Sequence, residues 1–184
     1  MATKKAVEEK VEVQIPAIEI RTFNLKLVGD SPLIVHAWSD KAKQMMLDKQ
    51  MKKATKGKEA KDPFKDFVDS LYWLSDKPEK PTMEDVQKAK FGFPTVAFKS
   101  AAVDGAFQSG VTQKKTTSRG AFHIMGDMVE INGTPGIRED MVRIGMGTAD
   151  IRYRGEFKQW SVTLSIRYNA DAMSAEQIIN LFNV

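Results

Sequence analysis

Cysteine is absent from the 184 residues. That removes disulfides, thiolate metal sites and cysteine nucleophiles together. Histidine is scarce: only His36 and His123 occur, with no H-E-x-x-H spacing, so zinc would have to rely on carboxylates and no metal or other cofactor is expected. No apolar run is long enough for a membrane span, and the first ten residues mix Lys4, Lys5, Glu8, Glu9 and Lys10 without a secretory core. The chain is therefore expected in the cytoplasm, with no membrane partner. Neither a G-x-S-x-G elbow nor a Walker loop is present, and Gly145-Met146-Gly147-Thr148 reads as a bulge or strand connection rather than a phosphate cradle.

What is there suits one globular core. Hydrophobic residues make up 42% of the chain, enough for a single domain over 11–184 behind a charged lead at 1–10. The formal charge is +4, but its distribution is uneven. Residues 41–61 hold eight lysines against Asp48 and Glu59, a net of +6, which leaves the remainder at −2.

Alternation marks the strands. Val11, Val13 and Ile15 alternate with polar residues, and after Pro16 the pattern resumes at Phe23, Leu25 and Leu27, as a strand pair or one strand broken at the proline. Gly29-Asp30-Ser31-Pro32 turns the chain into the short run Leu33-Ile34-Val35. Ala121 to Met125 and Met128 to Ile131, separated by Gly126-Asp127, suggest a hairpin with a type II′ turn. Met141 to Met146 and Ile151 to Phe157 are further strands. The clearest one sets Trp160, Val162, Leu164, Ile166 and Tyr168 on one face and Ser161, Thr163, Ser165 and Arg167 on the other.

Helices are signalled by their starts. Ser39 or Asp40 opens one that frays near Gly57, and Asp62-Pro63 opens another with Phe64, Phe67, Val68 and Leu71 on one stripe. Thr82 with Asp85, and Ser174 with Gln177, have capping-box spacing; Ala175, Ile178, Ile179 and Phe182 form the last helix's apolar side. A helical stretch is expected near Lys99 to Phe107, and 110–120 as an exposed polar loop. The helices between about 39 and 92 constitute an insertion in an α+β sheet domain. A strand followed by a helix, as at 160–184, usually returns to its sheet through another strand, so an edge remains for further residues or another subunit.

The chemistry favours binding over catalysis. Lysines neutralise phosphates without reading sequence, and a sheet bearing arginines and aromatics can hold unpaired bases. Candidate phosphate contacts are Lys49, Lys52, Lys53, Lys56, Lys114, Lys115 and Arg119. Candidate sheet contacts are Arg152, Tyr153, Arg154 and Arg167, with His123 or Phe122 as stackers. An enzyme would have to draw on Glu139, Asp140 or Asp150, for which no motif speaks.

Phe93-Pro94-Thr95-Val96-Ala97-Phe98-Lys99-Ser100-Ala101 is similar to the proline-then-basic helix start of the RAMP superfamily of CRISPR-associated proteins, and Gly29-Asp30-Ser31-Pro32-Leu33-Ile34 resembles the end of that group's first strand. The resemblance implies an antiparallel RRM/ferredoxin-like sheet with packed helices, RNA binding, side-by-side assembly and an RNA contact at Lys99. Arg119-Gly120-Ala121-Phe122 resembles the basic-glycine start of the RRM core motif, although the aromatic spacing departs from it. The resulting expectation is a non-enzymatic protein that binds single-stranded RNA or DNA and forms homo-oligomers along it. The alternative is a viral or phage structural protein that assembles without nucleic acid, its ten methionines serving subunit contacts.

Overall fold

The computed structural model describes residues 17–53, 60–145 and 147–184. The charged lead at 1–10, the expected strand at 11–15 and Lys56 lie outside the described residues. The architecture is mixed α+β, with antiparallel sheets and six helices among the described residues.

In chain order the elements are β1 (Ile20–Val28), β2 (Leu33–Val35), α1 (Asp40–Gln50), α2 (Pro63–Ser70), α3 (Met83–Lys88), β3 (Phe91–Pro94) and α4 (Thr95–Gln108), then α5 (Lys115–Ala121), β4 (Phe122–Ile124), β5 (Met128–Ile131), β6 (Pro135–Ile144), β7 (Thr148–Phe157), β8 (Ser161–Asn169) and α6 (Ala175–Phe182). The central sheet has the order β1-β8-β4, all antiparallel. Its alternation is what the sequence pattern demands: Val162, Leu164 and Ile166 are fully buried, and Phe23, Leu25 and Leu27 stand opposite Ile166, Leu164 and Val162. Burying one such aliphatic side chain contributes about 1.5–3 kcal/mol, so this layer alone fixes the register, since a one-residue slip would turn every apolar group to water.

Among the described residues, helices α4 and α6 pack on the inner face. The α4 helix contributes Phe98, Ala102, Val103 and Ala106, and α6, held by the Ser174/Gln177 capping box, contributes Ile178 and Leu181. A second sheet, β2-β7-β6, is built on a long hairpin in which Gly145 and Gly147, both with positive φ, follow β6 and precede β7. The α2 helix seals it against the core. Asp62 caps α2 by accepting from the Phe64 and Lys65 amides, and Phe67, Val68 and Leu71 are buried. At its end Ser70 ties three segments: its hydroxyl donates to the Phe67 carbonyl (2.6 Å) and accepts from the Gly155 amide (2.7 Å), while its carbonyl accepts from the Ala37 amide (2.7 Å). Gly155 is glycine because a Cβ there would lie 2.4 Å from Leu71 Cδ2.

Three local expectations need correction. Residues 122–131 do not form a hairpin: β4 pairs with β8, whereas β5 pairs with β3. The chain follows the edge of β8 as far as Met125, turns at Gly126 with φ of 80°, and meets β8 again at Asn132 opposite Ser161. The excursion supplies a partner for β3, whose Phe91 packs on Trp73 and Phe157. The supposed loop at 110–120 contains α5, with Ser118 fully buried and bonded to Thr112. The alanine-rich helix begins at Thr95, four residues before Lys99, because the Thr95 amide and hydroxyl find the carbonyls of Asp127 and Gly126 instead of a side-chain cap.

Candidate nucleic-acid interface

The separate basic segments do not form one surface. Lys49 lies in the last turn of α1, Lys52 follows with φ of 55°, and Lys53 is 3.2 Å from Asp48; no residue of α1 is buried, so this helix projects from the body. Arg152 and Arg154 belong to β7, in a different sheet from Arg167, which corrects the idea of a single arginine-bearing face. They are also neutralised locally, Arg152 by Asp150 (3.4 Å) and Arg154 by Asp140 (3.1 Å). Asp140 further accepts from Arg138, which also reaches Glu156 (2.7 Å), and Asp150 is paired with Lys61, the chief cause of its lowered pKa. Asp140 thus ties β6 to β7 through Arg154, and Asp150 ties β7 to Lys61. No group of three or more potential metal ligands occurs among the described residues.

At one end of the central sheet the structure does converge. A cleft of about 260 Å³ opens where β4 begins and β8 ends, lined by Lys99, Arg119, His123 and Arg167 from four different elements, together with Ile20 and Asn169. Among the described residues, no aspartate or glutamate lines it. His123 and Arg167 are directly opposite each other in the β4–β8 register, so both project to the outer face. Lys99 approaches from the second turn of α4, where Phe98 and Ala102 anchor the helix, and its ammonium lies 5.3 Å from the centre of the Phe122 ring. Burial, and then the Arg119 charge, hold the Lys99 pKa below the usual lysine value. An anion entering the cleft would relieve that repulsion.

The rim is less uniformly basic. Asp104 sits 3.0 Å from Lys115 and 4.0 Å from Arg119, and Lys115 also rests 5.0 Å from the Phe107 ring centre, while Lys114 at the start of α5 is exposed. Phe122 is buried and belongs to the core, not to a stacking surface. Tyr153 is half-buried on the hairpin sheet, where burial first and Glu139 second raise its pKa.

From the cleft a polar strip runs over the sheet's outer face. Thr22 faces Arg167, Asn24 faces Ser165 and Lys26 faces Thr163. The β1 members of this strip and Asn169 were not singled out from sequence, yet the signal was present: they are the alternate positions to Phe23, Leu25 and Leu27. Apart from His123, the strip carries no ring, so it can hydrogen-bond phosphates, sugars and base edges but offers little stacking. No helix among the described residues is long and apolar enough to cross a membrane. No protein-family model matches the chain, and no curated protein or solved structure is significantly similar to it.

Proposed function

We propose that this chain is a non-enzymatic protein that binds single-stranded RNA or DNA and assembles with further copies of itself along the strand. The observation that carries the reading is the cleft lined by Lys99, Arg119, His123 and Arg167, which are up to 68 positions apart in sequence, with no carboxylate among its described lining residues. Lys99 is half-buried beside the Arg119 charge, and a bound polyanion offsets the repulsion between them. The topology is in keeping with it. A strand β1, a helix α4, a strand β4, a returning strand β8 between them and a helix α6 follow the order and directions of a split βαβ, RRM-like unit. With His123 as the one ring on the described polar strip, affinity comes mainly from phosphates, and sequence preference is weak.

The direct test is fluorescence anisotropy with a labelled twelve-nucleotide oligomer at increasing salt. Binding that weakens steeply with salt is expected. Absent or salt-insensitive binding would refute the proposal. A second reading, assembly without nucleic acid, draws on α1 and its flanks, where Trp38, Met45, Met46, Leu47 and Met51 are exposed. A stable particle that survives nuclease treatment and contains no nucleic acid would favour it.

A further inference from the structure

The apolar layer of the central sheet is unevenly covered. Val162, Leu164 and Ile166 on β8 are fully buried, yet their direct partners Leu27, Leu25 and Phe23 on β1 are only half-buried. The reason is positional: β1 is an outer strand, with β8 on one side and no described strand on the other. A nine-residue strand in unbroken register is a long edge to leave open. Edges are normally blunted by proline, a bulge or inward charges. This one has no proline and no bulge; Arg21, at its start, is held by Glu19 at 2.5 Å.

One segment of this chain has the complementary pattern. Val11, Val13 and Ile15 alternate with Glu12 and Gln14, giving three apolar groups at the two-residue spacing of Phe23, Leu25 and Leu27. The segment is poorly placed to fold back on its own β1. The ladder already extends past Ile20, since the Ala170 amide donates to the Glu19 carbonyl (2.8 Å) and the Glu19 amide to Asp171 (3.0 Å). Only Pro16, Ala17 and Ile18 would remain to reverse the chain. A three-residue hairpin loop needs a residue in the left-handed region, which proline cannot adopt and which Ala17 and Ile18 do not occupy.

We infer that residues 11–15 of one copy add as a strand to the open β1 edge of a second copy, covering Phe23, Leu25 and Leu27. The donor segment and the acceptor edge are different surfaces carried by every copy, so one-way donation extends a row of subunits and reciprocal exchange between two copies closes a dimer. This deepens the homo-oligomeric part of the proposed function and requires no nucleic acid.

The absence of native cysteine makes a clean test possible. Copies carrying Val13→Cys are mixed with tagged copies carrying Leu25→Cys under mild oxidation without nucleic acid. A disulfide-linked mixed dimer is expected, in excess of either like pair, together with a mass for the unsubstituted chain that rises with concentration above 20.6 kDa. Deletion of residues 1–15 should hold the mass at that of one chain, and the full-length double variant Val13→Asp, Ile15→Asp should do the same if the truncated form folds poorly. Cross-linking only when both cysteines occupy one chain would show an internal hairpin and overturn the inference. So would an unchanged distribution of mass after deletion. Anisotropy of the deleted chain with a short oligomer reports nucleic-acid binding separately, so assembly and binding can fail independently.

Discussion

Replacing Arg167 by glutamine tests the cleft with little disturbance to the fold. Arg167 is exposed on the outer face of β8, opposite Thr22 and His123, and its neighbours in sequence, Ile166 and Tyr168, carry the packing. Surface replacements of this kind typically change stability by no more than about 0.5 kcal/mol. Three permanent cations line the cleft, Lys99, Arg119 and Arg167. If each neutralises one phosphate of a single strand, log K falls with log salt at a slope of about −2, so raising salt from 50 to 200 mM weakens binding roughly 20-fold. With Arg167→Gln two contacts remain, the slope approaches about −1.4, and the same change in salt costs about 7-fold. At 0.15 M salt the variant itself should bind about fourfold more weakly. The assay is an anisotropy titration at four salt concentrations, with thermal melting as a check on folding. Lys88→Gln, at an exposed position in the last turn of α3 that does not line the cleft, removes the same charge and serves as control. An unchanged slope for Arg167→Gln, or an equal reduction for Lys88→Gln, would refute the reasoning, because net charge rather than the cleft would then govern binding.

Lys99→Met should separate binding from stability: the ammonium is charged against burial and Arg119, so the thermal midpoint at pH 7 should not fall below that of the unsubstituted chain, while oligonucleotide affinity drops about fourfold at 0.15 M salt. Ser70→Ala leaves the buried Gly155 amide without its acceptor and should cost about 1–3 kcal/mol in urea denaturation. Asp62→Ala removes the α2 cap and should cost about 0.5–2 kcal/mol by the same measurement. Burial, followed by Arg154 and Arg152, lowers the His36 pKa. The unfolded chain therefore takes up this proton first, and as pH falls below about 6.5 stability declines until the folded form is also protonated. His36→Gln should flatten that part of a stability profile against pH, leaving the region above it unchanged.

Local signals carried far in this chain. Asp62-Pro63, Thr82 with Asp85 and Ser174 with Gln177 start helices where their spacing says they should, because a cap is satisfied within three or four residues and needs no distant partner. The alternation through β1 and β8 likewise identified both strands and the face each buries. Pairing is a different matter. Nothing in Phe122 to Ile131 says that β4 will seek β8 and β5 will seek β3, since the competing hairpin has the same alternation and a suitable turn; long-range packing on Tyr168 and Phe91 decides.

The site divides along the same line. Sequence alone determined that the protein is rich in lysine, lacks thiol chemistry and contains Lys99, Arg119 and Arg167 as separate basic residues. Only the tertiary structure decided that those three, with His123, share a cleft, while Arg152 and Arg154 are neutralised on another sheet and the lysines of α1 stand apart. The physical reason is range. Caps and alternation act over a few residues along the chain, whereas the charge surrounding a side chain is set by whichever distant segments the buried layer of Leu164, Ile166 and Phe122 brings together.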